Sequence, residues 1–319
     1  MLTIHFINVW DGDAILFESH TGNRCFRMLV DTGNALIPRG SGLRRVTALE
    51  YLKQHKIHTL DLVVITHLHM DHFGDLQEIA KQIEIRNLYA PYIPGAAERA
   101  YIKPCGDPVL DKSMDGLCEC LNLWVSTLGY IRDKQDCRIR QIFETRKNME
   151  LLPGLLGDII VTDSAQKQAQ NAVYDKILRQ EEVSFQMMYW ASKMRNPGSL
   201  RMNMTYAGRK IVMGADCFGA LWEQEAAPCD IFKVPHHGDR KALTEKLAAG
   251  LHPSYAVISC GSEYIERKDR PSAGTISLLK QYGAQVYYTD AFAPEDEEPV
   301  IHDAIIMEIR EDGTIHVSA

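Results

Sequence analysis

The stretch that decides the fold reads Val63-Val64-Ile65-Thr66-His67-Leu68-His69-Met70-Asp71-His72-Phe73-Gly74-Asp75. Its first residues continue an apolar run that starts at Leu62, a pattern typical of a buried strand. Directly after this strand, three histidines and one aspartate occur within six residues. Imidazole and carboxylate groups are the side chains that bind Zn²⁺ or a similar divalent ion at neutral pH. The stretch therefore predicts a metal site at the end of a strand.

The spacing of these four residues allows more than one ion. His67 and His69 are two residues apart, so at a strand end their side chains point the same way. Asp71 and His72 follow as the chain enters a helix. Two ligands can then face one ion and two can face a neighbouring ion. A single histidine beside a strand is more often a surface or core residue, but four ligand-type residues together favour a metal site.

The composition is that of an ordinary globular protein. The chain has 319 residues, 45% of them hydrophobic and 24% charged, which fits one large α/β domain or two average domains. The net charge of −7 does not support general nucleic-acid binding, which usually requires a basic surface. A nucleic acid or another phosphodiester stays open as a substrate, because bound metal ions supply local positive charge.

Cysteine usage and hydropathy bear on the location of the protein. The eight cysteines are scattered and too sparse for a disulfide scaffold, and Cys118 and Cys120 lack C-x-x-C spacing. We therefore expect reduced thiols in a cytoplasmic protein. The first residues lack the basic and apolar regions of a signal peptide. No apolar run reaches the roughly eighteen residues of a membrane helix, so no membrane association is expected.

Strands and helices alternate along the chain, which predicts an α/β layer architecture. Residues 165–195 contain neither Pro nor Gly and predict one long helix or a helix pair, packed on the core rather than forming a lid. We expect a single domain over residues 1–319, with an insertion at about 95–195. Apolar patterns and turn signals predict strands near residues 2–9, 14–18, 27–30, 60–65 and 85–90, and helices near 47–55 and 76–83.

Other predicted strands also end in residues that can bind or support a metal ion. Asp31 follows one strand, where it either orients a metal-bound histidine or forms an Asx-turn. A predicted hairpin around Gly208 ends in Asp216, and an apolar strand near residues 230–234 ends in His236 and His237. The position of Asp31 fits the tendency of α/β proteins to place site residues at strand ends, whereas Asp216 taken alone would be a turn residue.

Several of these segments resemble a known family. The sequence T-H-L-H-M-D-H resembles the H-x-H-x-D-H signature of the metallo-β-lactamase superfamily. The resemblance implies an α/β fold, a four-layer αββα sandwich with a largely helical insertion, in a free-standing hydrolase without a membrane channel. Within the superfamily, the chain resembles the metallohydrolase domain of ComEC-type competence proteins in N-V-W-D-G-D-A, L-V-D-T-G, I-V-M-G-A-D, K-V-P-H-H-G and A-V-I-S-C-G.

The resemblance also implies roles for the site residues. Asp216 is expected to bridge two ions, and one of the paired histidines, preferably His237 rather than His236, to complete the second site. Asp31 and Asn196 are expected to support the ligands. Asp71, His237 and Arg270 are expected to take part in catalysis. The full expected ligand set for two Zn²⁺ ions, with Mn²⁺ as an alternative, is His67, His69, Asp71, His72, Asp216, His236 and His237.

One ligand of the superfamily has no counterpart in this sequence. The family has a further metal-binding histidine between the first cluster and the bridging aspartate, but residues 73–235 contain no histidine. Asn196 lies near the matching place and offers an amide oxygen. The first ion is therefore expected to be held by His67, His69 and Asp216 with solvent or substrate. Such a site would bind zinc weakly or prefer Mn²⁺.

The expected reaction is metal-dependent hydrolysis of a phosphodiester (a nucleic acid, a nucleotide or a phosphocholine-type ester) by a hydroxide that bridges the metals. Arg270 stands where the ComEC-type pattern has a histidine; it can hold a phosphate oxygen but cannot donate a proton near neutral pH. Lys233 and Lys241 are further candidate phosphate contacts. Two alternatives stay open: an ester, lactone or lactam hydrolase on the same site, and a metal-binding regulatory protein with an impaired site. The oligomeric state stays open too.

Overall fold

Two β-sheets and two groups of helices make up the fold. The computed structural model of the protein describes residues 1–40, 43–95, 112–262, 270–293 and 298–318. The first part of the predicted insertion, residues 96–111, lies outside the described residues. The strands are β1 Leu2–Ile7, β2 Ile15–Thr21, β3 Arg24–Val30, β4 Thr59–Leu60, β5 Leu62–Val64, β6 Glu84–Ile85, β7 Asn87–Ala90, β8 Arg138–Gln141, β9 Arg146–Leu152, β10 Leu155–Ile160, β11 Arg201–Tyr206, β12 Arg209–Met213, β13 Ile231–Lys233, β14 Tyr255–Ile258, β15 Gln285–Tyr288, β16 Ala304–Ile309 and β17 Ile315–Ser318.

The helices lie on the outer faces of the two sheets. They are α1 Ala48–Gln54, α2 Met70–Phe73, α3 Leu76–Ala80, α4 Lys112–Lys134, α5 Ser164–Leu178, α6 Phe185–Lys193, α7 Glu245–Leu251 and α8 Ala273–Gln281. Local sequence explains where several of them start. Thr47 and Glu50 form a capping box at the start of α1, and Ser272 caps α8 through the Thr275 N–H. Such caps satisfy backbone N–H groups that have no partner inside the helix.

The first sheet has eight strands, in the order β17-β16-β1-β2-β3-β5-β7-β8. The second sheet has seven, in the order β15-β14-β13-β12-β11-β10-β9. Strands β3, β5, β7 and β8 run parallel, as do β12, β13, β14 and β15. The carboxyl ends of parallel neighbours lie at one edge of a sheet, so the loops that follow these strands are grouped together.

Buried side chains form three hydrophobic layers. Between the sheets, Leu2, Ile4 and Phe6 of β1 belong to the same cluster as Met202 and Met204 of β11. A second cluster joins the first sheet to α1–α6, and a third joins the second sheet to α7 and α8. Because both faces of each sheet are covered over much of their area, the strands are apolar on both faces. The predicted four-layer αββα sandwich is confirmed.

The predicted helical stretch at residues 165–195 is a helix pair. Helix α5 ends at Leu178, and Gln180 has a φ of 57°, which a helix cannot contain. Ser184 then caps the start of α6 by accepting the Met187 N–H. The inner faces of both helices pack in the core cluster outside the first sheet. Besides α4, α5 and α6, the insertion region supplies β8 to the first sheet and β9 and β10 to the second.

Among the described residues, no helix combines the length and the apolar character that crossing a bilayer requires.

Candidate metal centre

The loops after β3, β5, β12 and β13 meet at one edge of the sandwich, and each brings residues predicted from the sequence. Asp31 follows β3, the first histidine cluster follows β5, Asp216 follows β12, and the histidine pair follows β13. Among the described residues, three groups of ligand-type atoms lie within 4.8 Å of one another there: His67 with His72 and Asp216, Asp71 with His72 and His237, and Asp13 with Asp31 and His72. The fold thus places residues from three distant parts of the chain in one cluster.

The carboxylate of Asp216 lies between two sets of imidazoles. Its Oδ2 is 3.6 Å from His67 Nε2 and 3.9 Å from His236 Nε2. Its Oδ1 is 3.3 Å from His72 Nε2 and 3.7 Å from His237 Nε2. We call the Oδ2 side, with His67, His69 and His236, the first subsite. We call the Oδ1 side, with Asp71, His72 and His237, the second subsite.

The atoms of each subsite have the spacing of metal ligands. Donors around a tetrahedral zinc at Zn–N distances of about 2.0–2.1 Å are roughly 3.3 Å apart. In the first subsite, His67 Nε2 and His69 Nδ1 are 2.8 Å apart. In the second, Asp71 Oδ2 is 3.4 Å from His237 Nε2 and 4.0 Å from His72 Nε2. Asp216 offers one oxygen to each side, as a bridging ligand would.

Asp31 supports histidines in both subsites. Its Oδ2 is 2.8 Å from His72 Nδ1 and accepts a hydrogen bond from Thr66 Oγ1 at 2.7 Å, while its Oδ1 accepts from the Thr66 N–H. The Thr66 hydroxyl in turn lies 3.1 Å from His67 Nδ1. When both rings donate from Nδ1, their Nε2 lone pairs face the cluster. The sequence analysis did not assign this supporting role to Thr66. Its position between the strand and His67 was the one feature of the sequence that could have indicated the role.

Several site residues have unusual backbone conformations. The φ angles of Asp31, Ala215, His236 and His237 are 57°, 47°, 47° and 55°, in the left-handed region that residues other than Gly, Asn and Asp seldom adopt. Such conformations cost on the order of 1–3 kcal/mol each and occur often at functional sites. Strain at these strand ends therefore accompanies the convergence of the ligands.

The charges of the cluster suit a cation. Although burial opposes ionisation, His72 and His237 hold the pKa of Asp216 well below its usual value. Burial and the neighbouring His72 hold the pKa of His67 well below its usual value. Burial alone would lower the pKa of His72, but Asp216 and Asp31 hold it well above its usual value. An anionic carboxylate and a neutral imidazole are the forms that bind metal, and a bound cation displaces the remaining proton.

Buried atoms of the second subsite test whether a metal fits. Among the described residues, His72 Nε2, His237 Nε2 and Asp216 Oδ1 are buried and have no hydrogen-bond partner. Buried polar atoms are almost always satisfied, so three that face one another need an explanation. A divalent cation would satisfy all three with the ligand types it prefers. The residues present therefore fit a metal ion.

The cationic residues proposed as phosphate contacts have different surroundings. The prediction that Lys233 contacts phosphate is wrong. Its ammonium is fully buried, lies 2.8 Å from Asp13 Oδ1, and donates to the Val234 carbonyl at 3.0 Å. Lys233 is the last residue of β13, which is buried along its whole length. Lys241 is exposed. Arg270 is 18% exposed, and its Nη1 lies 4.0 Å from Asp11 Oδ1.

Asn196, the residue expected near the place of the missing loop histidine, lies beside the cluster. Asn196 Nδ2 lies 2.9 Å from His236 Nε2. The neighbouring Arg195 donates from Nη1 to the carbonyl of Leu68, the residue between His67 and His69, at 3.3 Å. The guanidinium therefore supports the metal-binding loop from the side of α6.

Comparison with known proteins gives one family match. Residues 7–110 match the model described as the Metallo-beta-lactamase superfamily. This range holds Asp31 and the whole H-x-H-x-D-H segment, and it ends before Asp216 and the histidine pair. A comparison with curated proteins found no match.

Three solved structures align with most of the chain. The metallo-beta-lactamase fold protein YhfI from Bacillus subtilis is 12% identical to this chain, with a TM-score of 0.46. The alignment covers 90% of this chain and 96% of YhfI. Zn²⁺-bound PqqB from Methylobacterium extorquens is 10% identical, with a TM-score of 0.45, over 90% and 98%. A diphosphatase from the PhnP family is 10% identical, with a TM-score of 0.46, over 97% and 98%.

Proposed function

From the premise that this chain carries a metallo-β-lactamase superfamily domain, we propose that it is a hydrolase that uses two divalent ions to cleave a phosphodiester. The observation that carries the proposal is the position of Asp216. Its two oxygens face two separate sets of ligands, at 3.3–3.9 Å from four imidazole nitrogens. A mononuclear structural site would need only one such set. Structural zinc sites also fill all four positions with protein ligands, whereas hydrolytic sites keep one open.

The metal ions would supply Lewis acidity and lower the pKa of water between them. The protein's own groups position the reaction. Asp71 is 26% exposed and is thus the second-subsite residue that reaches toward solvent. Its carboxylate, held 3.4 Å from His237 Nε2, can accept a hydrogen bond from the attacking water. Asp31 and Thr66 fix the ring orientations of the subsites, so that little reorganisation is needed when substrate binds.

Positive charge beside the cluster supports an anionic substrate. Arg270 is partly exposed next to Asp11. The Lys241 ammonium lies 4.9 Å from the centroid of the Phe218 ring, and that ring is 5.6 Å from the imidazole of His236. A guanidinium and an ammonium at the rim can hold the non-reacting oxygens of a phosphodiester. A neutral lactone or lactam would make no use of these two charges.

The experiment compares substrates on the zinc-loaded and manganese-loaded protein. We expect turnover of bis-p-nitrophenyl phosphate, no turnover of the β-lactam nitrocefin, and complete loss of phosphodiester turnover in His69→Ala. His316→Ala, which changes an exposed histidine in β17, is the matched control and should keep full activity. Turnover of lactams or lactones alone would replace the phosphodiesterase by the ester-type hydrolase. Tight metal binding without turnover of any substrate would favour a regulatory protein.

The cysteines support a reducing location. The seven cysteines among the described residues form no disulfide with one another, and Cys118, Cys120, Cys217, Cys229 and Cys260 are buried. Free thiols persist in reducing compartments. We therefore propose that the protein works in the cytoplasm, where cellular fractionation should recover it.

A further inference from the structure

We infer that His236 is the third imidazole ligand of the ion in the first subsite, in place of the loop histidine that the sequence lacks. The inference rests on the proposed function only in requiring that divalent ions bind. It changes the ligand set expected from the sequence. There, His236 was an alternative to His237 in the second subsite, and the first subsite had only His67, His69 and Asp216.

The two adjacent histidines serve opposite sides of Asp216. His237 Nε2 lies 3.7 Å from Oδ1 and His236 Nε2 lies 3.9 Å from Oδ2. Both residues have positive φ angles, 47° and 55°, and this backbone turn separates their rings, whose centroids are 6.2 Å apart. The turn is fixed by the His236 N–H, which donates to the Ala215 carbonyl at 2.9 Å. Strain in two consecutive residues is explained if each ring has its own ion.

The orientation of the His236 ring also fits a ligand. Its Nδ1 lies 2.7 Å from Asp239 Oδ2, and the Asp239 N–H donates to the His236 carbonyl. The second carboxylate oxygen of Asp239 accepts from the Lys241 N–H at 2.7 Å. With Nδ1 beside the Asp239 carboxylate, the opposite ring atom Nε2 faces Asp216 Oδ2 at 3.9 Å. A carboxylate behind a histidine is the usual support for a metal-bound imidazole.

The loop that would have carried the missing histidine touches His236 instead. Asn196 Nδ2 lies 2.9 Å from His236 Nε2, and Asn196 Oδ1 is buried without a hydrogen-bond partner among the described residues. Rotation of the amide by 180° exchanges its oxygen and nitrogen, which have nearly the same shape. In the exchanged orientation the Asn196 amide oxygen would lie next to His236 Nε2, where it could share the same ion. The neighbouring Arg195 is committed to the Leu68 carbonyl.

The rival role for His236 is that of a proton donor to the leaving group, backed by Asp239. Both roles use the same Nδ1 contact, so activity alone does not separate them. Metal content does. Removal of a ligand weakens the binding of its ion enough to lose it on a desalting column, whereas a proton donor can be removed while both ions remain bound with unchanged affinity.

The test measures zinc stoichiometry and affinity on the full chain. Wild type, His236→Ala and His237→Ala are loaded with zinc, passed through a desalting column and analysed by inductively coupled plasma mass spectrometry, with affinities from competition against a chelating dye. We expect two equivalents for wild type and one for each variant. Visible spectra of the Co²⁺-loaded forms should differ between the two variants, because each retains a different subsite. Asp239→Asn should keep two sites but weaken the first about 10- to 100-fold.

The outcomes separate this inference from the proposed function. Two equivalents of unchanged affinity in His236→Ala, with loss of phosphodiester turnover, would overturn the ligand role and leave the hydrolase. One equivalent or none in wild type would overturn the inference, and none would overturn the proposed function with it. If His236→Ala fails to fold by circular dichroism, His236→Gln, which retains a polar side chain of similar length, is used for the same comparison.

Discussion

The substitution Asp31→Asn isolates the support that one carboxylate gives to two metal-binding histidines. Asp31 is almost completely buried, and its φ of 57° is one that Asn adopts more readily than most residues. The change therefore removes the charge and one acceptor with little backbone strain. The remaining amide oxygen can still accept from the Thr66 N–H. The new NH₂ group would face His72 Nδ1, which is 2.8 Å from the native oxygen.

The magnitude follows from the contacts that are lost. A hydrogen bond to a charged group contributes about 1.5–3 kcal/mol. Removing the carboxylate behind a metal-bound histidine typically weakens metal binding about 10- to 100-fold, which corresponds to roughly 1.4–2.8 kcal/mol. The two figures agree, because the lost interaction is the one that holds the His72 ring. We expect the larger effect in the second subsite, since His67 is held only indirectly, through Thr66.

The assay is zinc binding to the metal-free protein, followed by competition with a chelating dye. Wild type and Asp31→Asn are compared with Asp158→Asn in β10, whose Oδ1 accepts from the Asn148 N–H and which has no contact with the cluster in the structure described. We expect Asp158→Asn to bind zinc as wild type does. Unchanged zinc affinity of Asp31→Asn in both subsites would refute the idea that Asp31 positions the ligands.

Three further substitutions test other parts of the account. Burial raises the pKa of Asp75 from 3.8 to about 7, so the folded state keeps a proton that the unfolded chain loses. The contribution of Asp75 to the free energy of unfolding is therefore most favourable below about pH 4. It is lost as the pH rises through 7, and the total loss is on the order of 4 kcal/mol at most. Asp75→Asn should remove this slope from urea-denaturation data. Gly12→Ala places a Cβ 2.3 Å from the Asp71 carbonyl oxygen, at a φ of 143°, so calorimetry should show weaker zinc binding in the second subsite. Lys233→Met leaves a buried carboxylate unpaired and should cost about 3–5 kcal/mol of unfolding free energy; a loss below 1 kcal/mol in chemical denaturation would contradict the buried pair.

Much of the cluster was predictable because its residues follow short apolar strands. The carboxyl ends of the parallel neighbours β3 and β5 share an edge of the first sheet, and those of β12 and β13 share an edge of the second. The packing of the two sheets, which no single strand pattern contains, brings these two edges together. The strongest signal was the run from His67 to His72, where ligand-type residues are too dense for chance. The strand-end positions of Asp31 and Asp216 then agreed with it.

Other features depend on tertiary contacts that a local pattern does not contain. Lys233 is the last residue of β13, the strand that precedes the paired histidines. Nothing in its sequence neighbours reveals that Asp13, 220 residues away in the chain, neutralises it. Which side of Asp216 each histidine faces depends on two backbone turns at His236 and His237. The division of residues 165–195 into two helices depends on one left-handed residue, Gln180, in a sequence with high helix propensity.

The most direct test of the central claim is anomalous diffraction at the zinc edge from crystals of the zinc-loaded protein. The account predicts two peaks about 3.5–4 Å apart, with the Asp216 carboxylate between them. One peak should lie beside His67, His69 and His236, and the other beside Asp71, His72 and His237. A single peak, or peaks that Asp216 does not contact, would contradict it.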